Sequence, residues 1–217
     1  MQNYVDVAYD EKEYPRTAYP EKLARYLYDR FGMQRGMKFL DNGAGRGEFL
    51  AAFGRLGLEV HGTDIVQGCE MSLIVNLNSG RLPFPDDYFD VVFSKSVIEH
   101  IENQEHYMQE MKRVLKPGGL LILMAPDWKT QRHIFYLDPT HIHPYTQESI
   151  DWLLRMMGFK DVHSETFVQL PAVWGNPALG WVCRLLQLLG PVPRIYKNKF
   201  LRFSRELMVL GVGQKAK

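Results

Sequence analysis

Apolar and polar positions along the chain predict short strands that alternate with helices. From Met37 onward, brief apolar runs recur at intervals that leave room for one helix between them. The strand candidates are residues 37–42, 58–63, 73–77, 89–94, 119–125 and 160–168, with a last strand from Glu206 to Val212. Strands that alternate with helices indicate an α/β fold, in which helices cover both faces of a parallel sheet.

Apolar residues at helical spacing predict the helices themselves. An amphipathic helix is predicted over residues 20–32, and another around 147–157. A third helix follows the fourth strand, and we expect the Lys-Pro-Gly-Gly turn at residues 116–119 to end it before the next strand. Residues 1–14 are expected to be irregular.

The composition bears on the cellular compartment of the protein and shows that its charge is unevenly distributed along the chain. The chain has 217 residues, of which 46% are hydrophobic and 24% charged, and this balance fits one globular domain. Cys69 and Cys183 lie far apart, and no basic-then-apolar leader opens the chain, so we expect a reduced, cytoplasmic protein. Residues 194–217 contain seven Lys or Arg against one Glu, and an anionic partner would meet the chain there.

A glycine-rich turn between a strand and a helix is the strongest chemical signal. It lies in residues 39–50, FLDNGAGRGEFL, where glycines let backbone amides approach a ligand closely. Asp64 ends the next strand, where a carboxylate can accept hydrogen bonds from two ribose hydroxyls. Asp41 precedes the glycines; a carboxylate there suits a cationic sulfonium cofactor better than a pyrophosphate.

Four segments in order resemble motifs of the class I S-adenosylmethionine-dependent methyltransferases, in the subgroup called methyltransferase type 11. Residues 39–50 are similar to the first motif of that family, and 82–94 to its third-loop and fourth-strand motif. Residues 96–100 resemble its signature after that strand, and 114–119 its turn into the fifth strand. The resemblance covers residues 35–160, and four ordered motifs are far more specific than the glycine turn alone.

The resemblance implies S-adenosylmethionine as cofactor, with S-adenosylhomocysteine as product. It also implies which residues contact the cofactor. The cofactor-binding residues that it implies are Asp41, Gly43, Ala44, Gly45, Gly47, Asp64, Ile65, Asn78, Ser79, Ser94 and Lys95. Asp41 is expected near the methionine part, Asp64 on the ribose, and Asn78 with Ser79 beside the adenine. The family usually has Asp at the position of Asn78, whose carbonyl can still accept from the adenine amine.

The same resemblance implies a Rossmann-like doubly wound sheet, mostly parallel, with an antiparallel last strand. We expect residues 1–217 to form a single methyltransferase domain. An N-terminal lid or flank would occupy 1–34, a cofactor-binding core 35–168, an insertion or lid 169–204, and the last strand and tail 205–217.

The segment after the fifth strand offers groups for the methyl acceptor. It reads DPTHIHPYT over residues 138–146 and is similar to an Asp-Pro-x-His run in relatives. Methyl transfer from a sulfonium needs no strong base, but a base would speed methylation of a hydroxyl by about 10²–10⁴-fold. We expect His141 to be this base or a substrate contact, with His133, His143 and Tyr145 lining the pocket. The alternative is that His141 caps the next helix or packs beneath the loop.

A metal site is a weaker interpretation of the same segment. Asp138, His141 and His143 could act as ligands, but no cysteine or further acid cluster supports them, so no metal is expected. Glu99 and His100 are expected to serve the fold, or the start of a helix from Ile101, rather than catalysis.

An apolar segment inside the insertion suggests a partner. Residues 178–189 are nearly all apolar, yet a dozen residues are too few to span a bilayer, which takes about 20. One interpretation is a lid helix or a homodimer contact. The other is a peripheral contact with an anionic membrane, aided by the cations Arg194, Lys197, Lys199, Arg202 and Arg205.

The leading hypothesis is therefore a methyltransferase that acts on a small molecule. O-methylation of a hydroxyl or carboxyl is expected, on a saccharide, polyketide-like, isoprenoid or lipid-linked compound. RNA or protein methylation is the alternative, but no nucleic-acid-binding module accompanies the basic end, so nucleic acid is not the expected partner. A non-catalytic, cofactor-binding scaffold is a second alternative, because fold does not imply activity.

Overall fold

A computed structural model describes residues 15–189 and 198–217 of the chain. The predictions about residues 1–14, and about Arg194 and Lys197, lie outside the described residues. Among the residues that are described, no helix has both the length and the apolar character needed to cross a bilayer.

Seven strands of the described residues form one sheet in the order β3-β2-β1-β4-β5-β7-β6. The strands are β1 (Lys38–Asn42), β2 (Glu59–Asp64), β3 (Ser72–Ile74), β4 (Phe89–Lys95), β5 (Leu115–Pro126), β6 (Lys160–Phe167) and β7 (Met208–Gln214). Strand β1 pairs in parallel with β2 and β4, β2 pairs in parallel with β3, and β6 runs antiparallel to β7. The predicted Rossmann-like α/β sheet, mostly parallel with an antiparallel last strand, is confirmed.

Helices connect these strands. The α-helices are α1 (Tyr19–Arg30), α2 (Glu48–Arg55), α3 (Gln104–Val114), α4 (Trp128–Gln131), α5 (Gln147–Met156), α6 (Pro171–Trp174), α7 (Pro177–Gln187) and α8 (Lys199–Phe203). Two single 3₁₀ turns cover Ile98–His100 and Phe135–Leu137. The helices predicted over 20–32 and around 147–157 are present as α1 and α5.

The described residues divide into two compact units. The first contains the described residues up to Ser94, together with Asn103–Leu121 and Lys215–Lys217. The second contains Lys95–Glu102 and the described residues from Ile122 to Gln214.

Three aromatic rings form the centre of the first unit beside the glycine-rich turn. Phe39 on β1, Phe53 on α2 and Phe93 on β4 are all fully buried. The ring centroids of Phe39 and Phe53 lie 4.1 Å apart, and those of Phe53 and Phe93 lie 5.7 Å apart. These rings fix the helix that follows the turn against the sheet, because buried aromatic pairs combine a large apolar area with a preferred geometry.

In the second unit, helix α5 packs directly on strand β7. The side chain of Thr146 accepts a hydrogen bond from the backbone of Ser149, which starts the helix with a capping box. Ile150 and Leu154 on this helix are buried, and a Cβ added at Gly211 on β7 would overlap the side chain of Ile150. A glycine is therefore required where the helix crosses the strand.

The prediction of a turn at residues 116–119 is wrong. Strand β5 includes these residues, since it begins at Leu115, directly after α3 ends at Val114. The backbone N–H of Gly118 donates to the carbonyl of Lys215 at 2.8 Å, and the N–H of Lys215 donates to the carbonyl of Gly119 at 3.0 Å. Pairing with a distant segment thus overrides the local preference of a Pro-Gly-Gly sequence for a turn.

Two strand boundaries also differ from the predictions. The third strand ends at Ile74 instead of residue 77, because the carbonyl of Asn76 accepts from the N–H groups of Ser79 and Gly80 and closes a turn. The last strand begins at Met208 rather than at Glu206, whose carboxylate instead binds the Arg202 guanidinium at 2.7 Å.

The helix that was expected to start at Ile101 begins at Gln104. Its N-cap is Asn103, whose side chain accepts a hydrogen bond from the backbone N–H of His106. Glu99 and His100 lie in a separate 3₁₀ turn, so the prediction that they start this helix is wrong.

Candidate functional site

The glycine-rich turn has backbone angles that require its glycines. Gly43, Gly45 and Gly47 have φ values of 100°, 50° and 73°, a region that residues with a Cβ rarely adopt. The N–H groups of Gly43 and Ala44 donate to the carbonyl of Thr63 at 2.8 and 3.0 Å, which ties the turn to the end of β2. The turn is therefore a fixed backbone cradle in front of helix α2.

Asp41 and Asn42 place buried polar groups beside this cradle. Asp41 is buried at the end of β1, where it pairs with Gly62 on β2 and Phe93 on β4. The Oδ1 of Asn42 accepts a hydrogen bond from Thr63 Oγ1 at 2.7 Å, while its buried Nδ2 has no hydrogen-bond partner among the described residues. Ligands of parallel sheets bind at this carboxyl edge of the strands.

Asp64 connects the end of β2 to the glycine turn. Its Oδ2 accepts a hydrogen bond from the backbone N–H of Gly45 at 2.8 Å, and its Oδ1 accepts one from the N–H of Val66 at 3.3 Å. The next residue, Ile65, is half-exposed. Asp64 therefore supports the turn in addition to the ribose contact that the sequence predicts for it.

The loop after β2 approaches the glycine turn closely. A Cβ added at Gly68 would overlap the carbonyl oxygen of Gly45, and one added at Gly47 would lie 2.7 Å from the Cys69 Sγ. Gly68 and Cys69 are not predicted from the sequence as site residues, because only the folded loop brings them to the turn. An unexplained glycine shortly after Asp64 was the available signal.

The residues expected beside the adenine lie in the turn after β3. Asn78 is half-buried, and its Oδ1 accepts a hydrogen bond from the backbone N–H of Asn103 at 3.3 Å. Ser79 is exposed. Asn78 thus also connects this turn to the residue that caps α3.

The end of β4 holds Ser94 and Lys95 in different surroundings. Ser94 is buried, and its hydroxyl lies 2.7 Å from the hydroxyl of Tyr107, which itself donates to the carbonyl of Asn42 at 3.3 Å. Because Tyr107 has one hydroxyl hydrogen, Ser94 is the donor in their pair. Lys95 is half-buried, and its Nζ donates to Ser96 Oγ at 3.4 Å.

The first unit fits the cofactor that the resemblance implies. A buried carboxylate at Asp41 complements a cationic sulfonium and its ammonium group, and the positive-φ glycines allow close backbone approach. Asp64 at the neighbouring strand end can accept hydrogen bonds from ribose hydroxyls. The individual contacts remain predictions, but the residues present suit the group.

The second unit gathers a separate set of polar side chains around Glu99. One potential ligand atom from each of Glu99, His100 and His141 lies within 4.8 Å of the other two. The N–H groups of Ile142 and His143 donate to the carbonyl of Glu99 at 2.9 and 3.1 Å, which brings the two segments together. Of these three residues the sequence predicts only His141 as a site residue, because about 40 residues separate it from the other two.

Glu99 is fully buried, and neither of its carboxylate oxygens has a hydrogen-bond partner among the described residues. Burial raises the pKa of Glu99 to about 8, although attraction to Lys95 acts in the opposite direction. Burial also raises the pKa of Tyr145, and the charge of Glu99 adds to that effect. The buried Tyr145 hydroxyl likewise has no hydrogen-bond partner in the described part of the chain.

Hydrogen bonds orient both histidines of this group. His141 Nδ1 lies 2.7 Å from the carbonyl oxygen of Phe135, and its Nε2 lies 3.9 Å from the Oδ2 of Asp138. His100 Nδ1 lies 2.8 Å from the hydroxyl of Thr140. The ring centroids of the two histidines are 4.6 Å apart.

The other residues predicted for the acceptor pocket are less closely associated. His133 is exposed in the turn after α4, outside the group formed by Glu99, His100 and His141. His143 is half-buried and contacts Glu99 through its backbone. The structure therefore brings His141, Tyr145 and Glu99 together, and His133 does not join them.

Comparison with curated proteins finds partial relatives. The chain is 30% identical to the ubiquinone/menaquinone biosynthesis C-methyltransferase UbiE of Vibrio campbellii over 118 residues, which is 46% of this chain and 45% of the relative. The protein of the same name from Yersinia pestis strain Pestoides F is 31% identical over 118 residues and 47% of its length. The chain thus spans less than half the length of these curated relatives.

Solved structures share the fold over nearly the whole chain. An S-adenosylmethionine-dependent methyltransferase from Archaeoglobus fulgidus has a TM-score of 0.68 at 21% identity, covering 98% of this chain and all of that one. A Haloferax volcanii structure, a complex of the Trm112 methyltransferase activator with a methyltransferase, has a TM-score of 0.72 at 18% identity over 100% of both chains. Phosphoethanolamine N-methyltransferase 2 of Haemonchus contortus, solved with S-adenosylmethionine, has a TM-score of 0.64 at 17% identity, covering 90% of this chain and 52% of that one.

The family comparison covers most of the chain. Residues 12–164 match the model of a methyltransferase domain. This range contains the glycine-rich turn, Asp64 and the group around Glu99. The chain therefore belongs to this methyltransferase family, and it is a class I enzyme that uses S-adenosylmethionine as its cofactor.

Proposed function

We propose that this methyltransferase transfers its methyl group to an oxygen atom of a small molecule, and that His141 contacts the reacting group. The observation that carries the proposal is the hydrogen bond between His141 and Phe135. A backbone carbonyl can only accept, so Nδ1 of His141 carries the hydrogen and Nε2 of the neutral ring carries the lone pair. That lone pair can take the proton that an acceptor hydroxyl loses on methylation.

Asp138 supports this role of His141. Partial burial opposes its ionisation, but hydrogen bonds from Thr140 and the nearby His141 and His100 hold the pKa of Asp138 below its ordinary value. Its carboxylate lies 3.9 Å from His141 Nε2, close enough to stabilise an imidazolium once that nitrogen has gained a proton. Acid, histidine and fixed tautomer together form a unit that can accept the proton of an acceptor hydroxyl.

The rest of the reaction needs positioning more than acid–base chemistry. Bound S-adenosylmethionine supplies an electrophilic methyl group and leaves as S-adenosylhomocysteine. In the proposed scheme, Asp41 and Asp64 hold the cofactor through its ammonium and ribose groups, and the glycine turn fixes its orientation. Alignment of two reactants in this way supplies much of the rate acceleration of a group transfer.

Incubation with methyl-labelled S-adenosylmethionine and separate pools of acceptors tests the proposal. We expect label in a small-molecule extract, on oxygen by ¹³C NMR of the product, and none in bulk tRNA or in a denatured protein mixture. Label on carbon would instead assign the C-methylation that is in the name of the Vibrio and Yersinia relatives. Label in RNA or protein would overturn the small-molecule proposal.

His141→Ala tests the role of the histidine in the same assay. Turnover should fall by about 10²–10⁴-fold, while the affinity for S-adenosylmethionine stays within twofold. His163→Ala, which removes an exposed histidine on β6, is the matched control and should leave turnover unchanged. Equal turnover in the two variants would remove His141 from the proposed mechanism.

An apolar surface on α7 supports an amphiphilic or lipid-linked acceptor. Trp181, Leu185 and Leu188 follow each other at helical spacing and are exposed, with 65%, 64% and 81% of their surface accessible. The opposite side of the helix is anchored, because Cys183 is buried and the Gln187 amide donates to the carbonyl of Ser204 at 3.0 Å. We propose that this surface, the α7 apolar stripe, rests on an anionic membrane where such an acceptor resides.

A further inference from the structure

Three groups that ligate metals converge in the second unit, on segments far apart in sequence. Glu99 and His100 come from the 3₁₀ turn after β4, and His141 comes from the segment before α5. One ligand atom of each lies within 4.8 Å of the others, so a small movement of the side chains would bring all three to the bonds of about 2.0–2.2 Å that one ion requires.

Hydrogen bonds leave the lone pair of each ring on Nε2. For His141, the Phe135 carbonyl fixes the hydrogen on Nδ1. For His100, the partner is the Thr140 hydroxyl, whose own hydrogen is donated to the Oδ1 of Asp138 at 2.6 Å. The hydroxyl must therefore accept from His100 Nδ1, and the His100 Nε2 carries the lone pair. Ligating histidines commonly donate their other N–H to such carbonyl or carboxylate-linked partners.

The carboxylate of Glu99 adds a buried and unsatisfied group to these lone pairs. Its side chain has no accessible surface, and both oxygens lack a hydrogen-bond partner among the described residues. Lys95 attracts the Glu99 carboxylate, and its Nζ donates to Ser96 Oγ. Burial nevertheless raises the pKa of Glu99. A cation bound to the carboxylate would satisfy it directly.

We propose that Glu99, His100 and His141 form a binding site for a divalent transition metal ion, with Zn²⁺ as the best-matched ion. One carboxylate and two neutral imidazoles are the ligand set of a catalytic zinc site with three protein ligands. Such a set leaves a coordination position for a water molecule or an oxygen of a substrate. Asp138 and Thr140 act as positioning residues, because they fix the His100 tautomer.

The site deepens the proposed function. With an ion bound, His141 Nε2 would be a ligand and would no longer take the proton itself. The ion would lower the pKa of an acceptor hydroxyl bound to it, and the proton of that hydroxyl would leave to solvent. This use of the ion rests on the proposed O-methylation, whereas the binding of the ion does not. The inference is therefore tested with the metal alone, without cofactor or acceptor.

The test is equilibrium dialysis of the tag-free, chelator-treated full chain against Zn²⁺, followed by metal analysis and calorimetric titration. One equivalent of Zn²⁺ per chain is expected, and none above background in Glu99→Gln or His100→Ala. Thr140→Val keeps all three ligands but removes the hydroxyl partner of His100, so the Zn²⁺ affinity should fall by about 10–100-fold. Thr166→Val and His163→Ala, at exposed positions on β6, are the matched controls and should bind Zn²⁺ like the original chain.

Circular dichroism and S-adenosylmethionine binding show whether each variant is folded, so loss of Zn²⁺ from a misfolded chain is recognised. No stoichiometric Zn²⁺ in the original chain overturns the inference. Equal binding by the Glu99→Gln and His100→Ala variants also overturns it, since the ion would then sit elsewhere. Zn²⁺ binding without methyl transfer to oxygen would contradict only the proposed function, and the reverse result would contradict only the metal site.

Discussion

The Oδ2 of Asp64 accepts a 2.8 Å hydrogen bond from the backbone N–H of Gly45, which joins the acid at the end of β2 to the glycine-rich turn. The contact joins two distant parts of the sequence in one backbone cradle. We therefore expect Asp64 to affect cofactor binding both directly and through the conformation of the turn.

Asp64→Ala should weaken S-adenosylmethionine binding by about 1.5–3 kcal/mol, because the charge-assisted contacts of the carboxylate are lost. Asp64→Asn retains one carbonyl acceptor for the Gly45 N–H and should therefore cost less. Calorimetric titration of both variants measures the difference, with the exposed Asp29→Asn on α1 as control. An Asp64→Ala variant that binds like the original chain would refute the ribose assignment.

Gly68→Ala should weaken cofactor binding although Gly68 was not predicted as a site residue. The added Cβ would overlap the carbonyl oxygen of Gly45, so the loop after β2 and the glycine turn must separate. Overpacking of this kind costs about 1–3 kcal/mol of stability. Gly175→Ala is the control, since its Cβ meets nothing within 4 Å. Equal cofactor affinity and unfolding midpoints for the two variants would contradict the close approach.

Arg113→Met should lower the free energy of unfolding by about 2–3 kcal/mol. The mostly buried guanidinium bonds Glu110 through two 2.8 Å contacts and donates to the carbonyls of Leu82 and Phe84. Arg81→Ala, at an exposed position, should change stability by less than about 0.5 kcal/mol. Urea unfolding of the two variants measures both effects, and similar losses would contradict the assignment.

The same pair predicts a pH dependence. The hydrogen bond from Arg113 lowers the pKa of Glu110 in the folded state. The stability from the pair is therefore fully present above the ordinary glutamate pKa and is lost as pH falls through the lowered value. Replacement Glu110→Gln should therefore make the free energy of unfolding depend less steeply on pH below the ordinary glutamate pKa. An unchanged slope would show that other acidic groups control this pH dependence.

Anionic vesicles test the α7 apolar stripe. At low salt the original chain should sediment together with phosphatidylserine-containing vesicles, and high salt should weaken its binding to them. Replacement of Leu185 and Leu188 by Glu should reduce binding more than about tenfold. Met156→Glu, at an exposed apolar position on α5, is the control. No sedimentation of the original chain removes the membrane proposal.

Local patterns predicted the elements whose signals are local. The β1 strand, the glycine-rich turn and Asp64 follow from apolar runs and glycine placement, and the structure places them together as expected. The start of β5 was missed because residues 116–119 have turn-forming composition, while pairing with Lys215 makes them strand. Such pairing over about a hundred residues leaves no local signal.

The group around Glu99 shows a second reason why sequence patterns do not predict every residue of a site. Glu99 and His100 follow a strand, and from the sequence alone they are expected to serve the fold or the start of a helix, where acidic residues are favourable. Burial of the Glu99 carboxylate and its approach to His141 arise from tertiary packing. His141 itself could be predicted because its segment resembles a run found in relatives, whereas its partners could not.

Calorimetric titration with S-adenosylmethionine and S-adenosylhomocysteine, for the original chain and for Asp41→Asn, tests the cofactor site most directly. Both ligands carry the ammonium group that Asp41 is proposed to hold. We predict saturable binding of both near micromolar concentration by the original chain, and weaker binding of both by the variant. No binding of either ligand, or equal affinities in the two proteins, would contradict this account of the site.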